Sequence, residues 1–175
     1  MGWIENYWFK RRFIYESKQN AAINSISSSV RIIMNENDLK NYTLCSKDYK
    51  IWFERLSKDC NVWIIERDKR IVAYAWTHIP KHEAVWHDSL PTKVGEVRIF
   101  NVWTIPSLRG LGLAGELYMA IINEVIKQRE YRRIWSVVES SNYPSIRLHE
   151  KNGFIKTKEN WLIKCCGHKI FSIIP

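Results

Sequence analysis

A glycine-rich bend between a predicted strand and a long predicted helix is the segment of this sequence best suited to chemistry. It lies within Val102 to Gly115 and has Pro106 ahead of the run Arg109-Gly110-Leu111-Gly112-Leu113-Ala114. Glycine and alanine leave the backbone uncovered, so successive N–H groups can point at one place. The helix start adds unpaired N–H groups and a partial positive charge. The bend therefore predicts a site for a phosphate or pyrophosphate.

Two kinds of phosphate site compete for these glycines. Gly110, Gly112 and Gly115 have the spacing of the dinucleotide fingerprint, and Glu139 ends the next predicted strand where a ribose-binding acid would lie. In that fold the first glycine follows its strand directly, whereas residues 105–109 intervene here. A nicotinamide-dependent oxidoreductase is therefore kept as an alternative only.

A second motif downstream favours another ligand. Residues 109–114 resemble the R/Q-x-x-G-x-G/A signature of the GNAT (Gcn5-related N-acetyltransferase) superfamily, and residues 142–154 resemble its motif N-x-x-A/S-x-x-L-Y-x-K-x-G-F. The resemblance begins at residue 30. It implies an α/β (α+β) fold: a mixed, mostly antiparallel sheet with a splayed central strand pair and flanking helices. It also implies an acyl-CoA-dependent N-acyltransferase that uses acetyl-CoA. No cysteine is placed as an obvious covalent nucleophile, so we do not propose an acyl-enzyme.

The resemblance further implies where coenzyme A binds. The amides of residues 109–114 would hold its pyrophosphate, and its pantetheine arm would pair with the strand 96–103, one of the splayed pair with 134–138. Asn142 would lie near the cofactor, although it can also be a plain N-cap. The implied binding residues are Val102, Trp103, Thr104, Arg109, Gly110, Leu111, Gly112, Leu113, Ala114, Asn142 and Ser145.

His149 is a departure from the family motif, because it stands where the family usually has the Tyr that protonates the leaving thiolate. Imidazole is a competent acid near pH 7, so one hypothesis is that His149 donates this proton. The alternatives are Tyr143, Tyr118 or a water molecule, with His149 an exposed helical residue without a role. The same departure keeps open a non-catalytic acyl-CoA-binding module.

Glu96 is the candidate general base that would deprotonate the acceptor ammonium. Alternation along its strand places it on one face with Arg98, Phe100 and Val102. The alternative is an exposed Glu at the end of the strand, paired with Arg98.

Residues 79–94 hold two prolines and no clear period, so we predict a loop that forms a wall of the acceptor site. Its candidate residues are His82, Glu83, Trp86, His87 and Asp88. Pro80 prevents a regular helix from aligning His78 with His82, and the four cysteines form no CxxC pair. We therefore predict no metal site, and reduced thiols in the cytoplasm.

The composition fits one soluble domain: 175 residues, 46% hydrophobic and with a formal net charge of +9. The basic excess is spread over both halves, so no nucleic-acid-binding arm is predicted. It suits an anionic ligand or acceptor, or is simple solubilising charge. We expect a small-molecule or amino-sugar amine as acceptor.

Residues 1–29 lie outside the resemblance and are predicted to be an extension packed on a domain of residues 30–175. The segment mixes aromatic and basic residues. It is read as a helix or strand of the fold, with a basic amphipathic helix on a membrane or partner as the alternative. At the other end, Trp161 and Phe171 either pack internally or seal a homodimer.

The remaining elements position these residues. Hydrophobic periodicity and turn residues predict strands at 30–34, 62–66, 71–76, 96–103, 134–138, 154–157 and 161–170, and helices at 38–45, 48–58, 112–131 and after Pro144.

Overall fold

The structure, a computed structural model, describes residues 7–17, 29–42, 46–87, 90–128, 130–165 and 168–173. The chain forms two compact units, one of residues 19–134 and one of residues 1–18 with 135–175. The predicted domain boundary after residue 29 stays a prediction. In the described residues no helix is long and apolar enough to cross a membrane.

The described elements are mostly strands, with α-helices in three places along the chain. In chain order they are β1 (Tyr7–Ser17), β2 (Val30–Ile33), α1 (Glu36–Leu39), α2 (Ser46–Leu56), β3 (Cys60–Arg67), β4 (Arg70–His78), β5 (Val85–His87), β6 (Leu90–Thr92), β7 (Glu96–Thr104), a 3-10 turn (Pro106–Leu108), α3 (Leu113–Lys127), β8 (Arg133–Glu139), α4 (Tyr143–Lys151), β9 (Phe154–Cys165) and β10 (His168–Ile173).

In the unit of residues 19–134, four antiparallel strands lie in the order β7-β4-β3-β2, and β5 pairs with β6. In the other unit the order is β10-β9-β1-β8, again antiparallel. The predicted mixed, mostly antiparallel α/β class is confirmed. Of the predicted splayed pair, β7 lies in the first unit and most of β8 in the second, and their separation stays a prediction.

Four predictions about elements are wrong. The helix predicted at 38–45 is the single turn Glu36–Leu39, and residues 40–42 are not helical. Residues 79–94 are not all loop, because they contain the short β5–β6 hairpin. Residues 154–165 form one strand rather than two, because β9 pairs with β1 along this whole length. The amphipathic-helix alternative fails for residues 7–17, which form a strand bonded to β9 and, over residues 12–16, to β8.

In the unit of residues 19–134, the part of the core that bears on function lies between α2 and one face of the sheet. Alternation turns every second strand residue toward this side, which we call the α2 face. Trp52 of α2 packs edge-on against Trp76 and Tyr74 of β4, with ring centroids 5.3 and 5.2 Å apart. The buried members are Ile33, Leu39, Trp52, Leu56, Cys60, Val62, Ile64 and Trp76.

Candidate functional site

A β-bulge interrupts β7 just before the predicted pantetheine segment. Trp103 pairs with Tyr74 and Phe100 pairs with Trp76, so two residues, Asn101 and Val102, face one residue on β4. Asn101 has a positive φ of 48°. A bulge leaves its extra residue outside the regular ladder and bends the strand. Of the predicted residues here, Val102, Trp103 and Thr104 are all half-buried.

The bend after β7 is fixed by its own backbone and by one side chain. A 3-10 turn follows the strand, in which Arg109 N donates to the carbonyl of Pro106 at 3.3 Å. Arg109 Nε donates to the carbonyl oxygen of Thr104 at 3.2 Å, which ties the bend to the end of the strand. The amide of Arg109 is therefore engaged within the protein, and its role in binding pyrophosphate stays a prediction.

Two glycines then open the start of α3. Gly110 and Gly112 have φ values of 83° and 86°, a conformation that side-chain-bearing residues adopt only with strain. A Cβ built at either glycine meets nothing within 4 Å, so the space beside both is open. Gly112 is the N-cap of α3 and makes no side-chain hydrogen bond to the first turn.

An uncapped start leaves the first-turn amides of α3 without a capping oxygen. Together with the partial positive charge of the helix end, these amides suit an anion. Glu116, the carboxylate in this first turn, accepts a hydrogen bond at 3.0 Å from the hydroxyl of Ser29. The residues 110–114 therefore form an open, backbone-lined bend of the kind that the sequence predicted.

The second motif begins with a structural cap. Asn142 Oδ1 accepts a hydrogen bond from Ser145 N at 3.2 Å, so Asn142 is the N-cap of α4. Its own amide donates to the carbonyl of Glu139 at 2.9 Å. The capping interpretation of Asn142 is confirmed, and a contact with the cofactor stays a prediction for both Asn142 and Ser145.

His149 is buried rather than exposed on α4. The residue is 2% accessible. Its ring packs against the rings of Tyr15 and Phe154, with centroids 5.1 and 5.4 Å away. Its Nδ1 lies 2.7 Å from the carbonyl oxygen of Ser145. Burial lowers the pKa of His149, although this hydrogen bond and the charge of Glu150 oppose the shift. The imidazole is therefore biased toward its neutral form.

The alternative acids differ in accessibility. Tyr143 is 66% exposed at the start of α4, whereas Tyr118 is completely buried on α3.

Glu96 is buried and has partners on both oxygens. Arg133 Nη1 donates to Oε1 at 3.3 Å, and Lys93 N donates to Oε2 at 3.1 Å. The expected alternative of an exposed Glu paired with Arg98 is therefore wrong in both respects. These contacts are those of a structural carboxylate, and a role as base stays a prediction.

The predicted acceptor wall is only partly described. His82 and Glu83 are exposed, whereas the side chains of Trp86 and His87 and the whole of Asp88 lie outside the described residues. The same holds for the side chain of Phe171. In the described part of the chain, no three His, Cys, Asp or Glu side chains gather as a metal site would require.

Sequence reasoning missed a cavity of about 450 Å³ on the α2 face, which we call the α2 cavity. Arg55 lines it, three residues after Trp52 and next to Leu56, on the edge of the apolar stripe of α2. A cation in that place is the signal that could have drawn attention to it. The lining residues are Ile51, Glu54, Arg55, Lys58, Cys60, Arg98 and Phe100.

The structure therefore brings the predicted residues together in two groups. In the first unit, Val102 to Thr104 are joined by a 3-10 turn to the open bend of residues 110–114. In the second unit, Asn142, Ser145 and His149 share α4.

Comparison with known proteins agrees with this arrangement. The family model described as the acetyltransferase (GNAT) family matches residues 28–154. The mycothiol acetyltransferase of Thermomonospora curvata is 29% identical over 105 residues, which is 60% of this chain and 30% of that protein. The chain thus spans less than a third of the length of this curated relative.

Solved structures share the fold. A GNAT-family acetyltransferase from Novosphingobium aromaticivorans superposes with a TM-score of 0.63 at 16% identity, covering 94% of this chain and 68% of that one. An aminoglycoside N-acetyltransferase in complex with CoA gives a TM-score of 0.54 at 22% identity, covering 73% of this chain and 92% of that one.

Proposed function

This chain belongs to the GNAT acetyltransferase family, and we propose that it transfers an acetyl group from acetyl-CoA to the primary amine of a small molecule or amino sugar. The acceptor attacks the thioester directly, in a ternary complex. We place the reaction in the cytoplasm and leave the oligomeric state, including a homodimer, to measurement.

The observation that carries this proposal is the open bend at the start of α3. Gly110 and Gly112 leave space where any other residue would place a Cβ, and α3 begins without a side-chain cap. We propose that the amides of residues 110–114 hold the pyrophosphate of coenzyme A, and that Arg109 orients the bend through Thr104. The bulged end of β7, Val102 to Thr104, would receive the pantetheine arm through backbone hydrogen bonds.

The protein's contribution to rate is mainly positioning and polarisation. A C–N bond forms between the acceptor nitrogen and the acyl carbon while the C–S bond breaks. The nitrogen loses a proton to a base, and the thiolate sulfur receives one from an acid. Backbone amides near the bulge would polarise the thioester carbonyl.

Two hypotheses stand for the acid and two for the base. His149 would be the acid by its place in the motif, but its burial and its bond to Ser145 favour the alternative of Tyr143 or water. Glu96 would be the base by its place on β7, but its contacts with Arg133 and Lys93 favour a water relay.

The relatives support a small-molecule acceptor. One is a mycothiol acetyltransferase and another an aminoglycoside N-acetyltransferase, so both are named for amine-bearing small molecules. The family membership also speaks against the nicotinamide alternative, which depended on the same glycines. A non-catalytic acyl-CoA-binding module is the remaining competitor.

The test is release of free coenzyme A thiol from acetyl-CoA in the presence of an amine library, with Gly112→Asp as the inactive control. We expect amine-dependent release by the natural protein and none by the variant, because an aspartate would fill and charge the bend. Tight binding of coenzyme A without release for any amine would support the non-catalytic module. Binding of NAD(P) in preference to coenzyme A would contradict the proposal.

A further inference from the structure

The α2 cavity has the size of a small-molecule site and a basic lining. Its volume of about 450 Å³ falls within the usual range for such sites. Arg55, Lys58 and Arg98 line it, against one carboxylate, Glu54, among the described lining residues. Glu54 and Lys58 are exposed, whereas Arg55 is half-buried and Arg98 is only 7% accessible. The two arginines therefore define the charge of its interior.

The guanidinium of Arg55 packs against aromatic rings, and one of its nitrogens has no hydrogen-bond acceptor among the described residues. Its guanidinium carbon lies 5.1 Å from the ring centroid of Trp76 and 5.4 Å from that of Phe100. Within the part of the chain that the structure describes, its buried Nη1 has no hydrogen-bond partner. A buried guanidinium N–H without an acceptor is costly, and a carboxylate or phosphate oxygen is its best partner.

Among the described residues, no carboxylate is hydrogen-bonded to the buried Nη1 of Arg55, and the carboxylate of the lining, Glu54, is exposed. Cys60 is a buried acidic group on the cavity wall, and burial raises the pKa of its thiol to about 11, so the thiol is neutral near pH 7. Burial also lowers the pKa of Arg55, as expected for a cation removed from water. Arginine nevertheless stays protonated in proteins.

The cavity is also adjacent to the strand that would carry the acyl donor. Phe100 lines the cavity, and Val102, two residues further along β7, begins the predicted pantetheine segment. Two residues of a regular strand span about 7 Å, and the bulge at Asn101 makes this step shorter. A small acceptor could therefore keep one end in the cavity and present its amine at the end of β7.

We propose that the α2 cavity binds an anionic group, a carboxylate or a phosphate, of the acceptor, with Arg55 and Arg98 as its ligands. Only the identification of the ligand as the acyl acceptor rests on the proposed function. The anion site itself is tested without acyl transfer.

The experiment is calorimetric titration of the intact protein, without acetyl-CoA, with 2-aminoethyl phosphate, 3-aminopropanoate and ethanolamine, which carries the same ammonium group but no anionic group. We expect at least one anionic probe to bind roughly tenfold or more tightly than ethanolamine, as a charged hydrogen bond would provide. A preference for one probe tells phosphate from carboxylate. Equal binding of all three, or no binding of either anion, would overturn the proposal.

Variants locate the site. Arg55→Gln should remove the preference, whereas Arg70→Gln, an equal charge change at an exposed hairpin position, should keep it. Gly112→Asp should also keep it, because the bend at α3 is a separate anion site. Loss of binding in Gly112→Asp but not in Arg55→Gln would overturn the assignment. If Arg55→Gln does not fold, Lys58→Gln at the exposed rim should weaken the anionic probe and not ethanolamine, and an unchanged preference there would count against the proposal.

Failure of the two proposals can be told apart. Anion binding without coenzyme A release removes the acyltransferase activity and keeps the cavity site. Coenzyme A release with amines that lack an anionic group, together with no preference for anionic probes, keeps the acyltransferase activity and removes the cavity site.

Discussion

The Nδ1 atom of His149 lies 2.7 Å from the carbonyl oxygen of Ser145, one helical turn earlier on α4. A carbonyl oxygen only accepts, so Nδ1 carries the hydrogen and Nε2 of the neutral ring has a lone pair. A ring in this state accepts a proton at Nε2 and cannot donate one there. His149 would have to be protonated first to act as an acid, and burial disfavours that form.

The first prediction compares His149→Phe with Tyr143→Phe. Removing a general acid costs about 10²–10⁴-fold in rate. We expect His149→Phe to retain kcat within about tenfold, because Phe suits the aromatic contacts with Tyr15 and Phe154. Steady-state coenzyme A release measures this. A loss of more than about a hundredfold in His149→Phe, with Tyr143→Phe unaffected, would restore His149 as the acid.

The second prediction concerns the open bend. Gly112→Ala should cost about 1 kcal/mol of stability, because Ala at positive φ is strained. Gly153→Ala is the matched control: its φ is 79°, and a Cβ there also meets nothing within 4 Å. We expect both variants to lose similar stability in urea unfolding, and only Gly112→Ala to bind coenzyme A more weakly. Equal affinity in both variants would remove the bend from the binding site.

Local patterns in the sequence were enough to predict most of the fold. The strands β3, β4 and β7 and the helix α3 have clear periodicity, and glycines mark the bend before α3. The β5–β6 hairpin was missed because its strands have three residues each and one contains Pro91. The continuity of β9 was missed because residues 158–160 are polar, and their place in a strand depends on pairing with the distant β1.

The candidate site also has features that the sequence predicts and features that it does not. The glycine-rich bend could be predicted because glycine is the residue that adopts a positive φ without strain. The α2 cavity could not, because the position of Arg55 on a helix does not reveal that Arg98 and Phe100 of β7 lie opposite. Likewise, the motif position of His149 gave no sign that Tyr15, from the other end of the chain, would cover it.

The third prediction concerns Glu96→Gln. Its side chain is 9% accessible and binds Arg133, so we expect a loss of about 1–3 kcal/mol in the free energy of unfolding. Glu66→Gln is the control, because Glu66 pairs at 3.5 Å with an Arg31 side chain that is 68% accessible. An exposed pair of that kind is worth about 0–1 kcal/mol.

The same Glu96 variant tests the role of base. If Glu96 only supports the structure, the pH profile of kcat/KM should keep its shape in Glu96→Gln. A profile that loses its acidic limb, together with a large fall in kcat, would assign the base to Glu96 and contradict the expectation from its contacts.

The fourth prediction concerns the thiol of Cys60. Burial raises its pKa from 9.0 to about 11, so at pH 8 the reactive thiolate is about a hundredfold scarcer than in an ordinary cysteine. Alkylation of Cys60 by iodoacetamide, followed by peptide mass spectrometry, should be at least that much slower in the folded protein than in urea. Equal rates in the two states would show that the thiol is accessible and unshifted.

The fifth prediction concerns stability against pH. Burial is the main cause that lowers the pKa of His149 below its ordinary value of 6.5. Below that pH the unfolded chain therefore binds a proton at His149 that the folded protein does not, and the free energy of unfolding falls as pH falls. One such proton contributes up to about 1.4 kcal/mol per pH unit. His149→Phe should flatten the decline between pH 6.5 and the folded pKa, as measured by urea unfolding at a series of pH values. His82→Gln, which removes an exposed histidine, should leave the decline in place. An identical slope in the natural protein and His149→Phe would mean that His149 is as readily protonated in the folded state as in the unfolded one. The lowered pKa could then no longer be used as an argument against His149 as the acid.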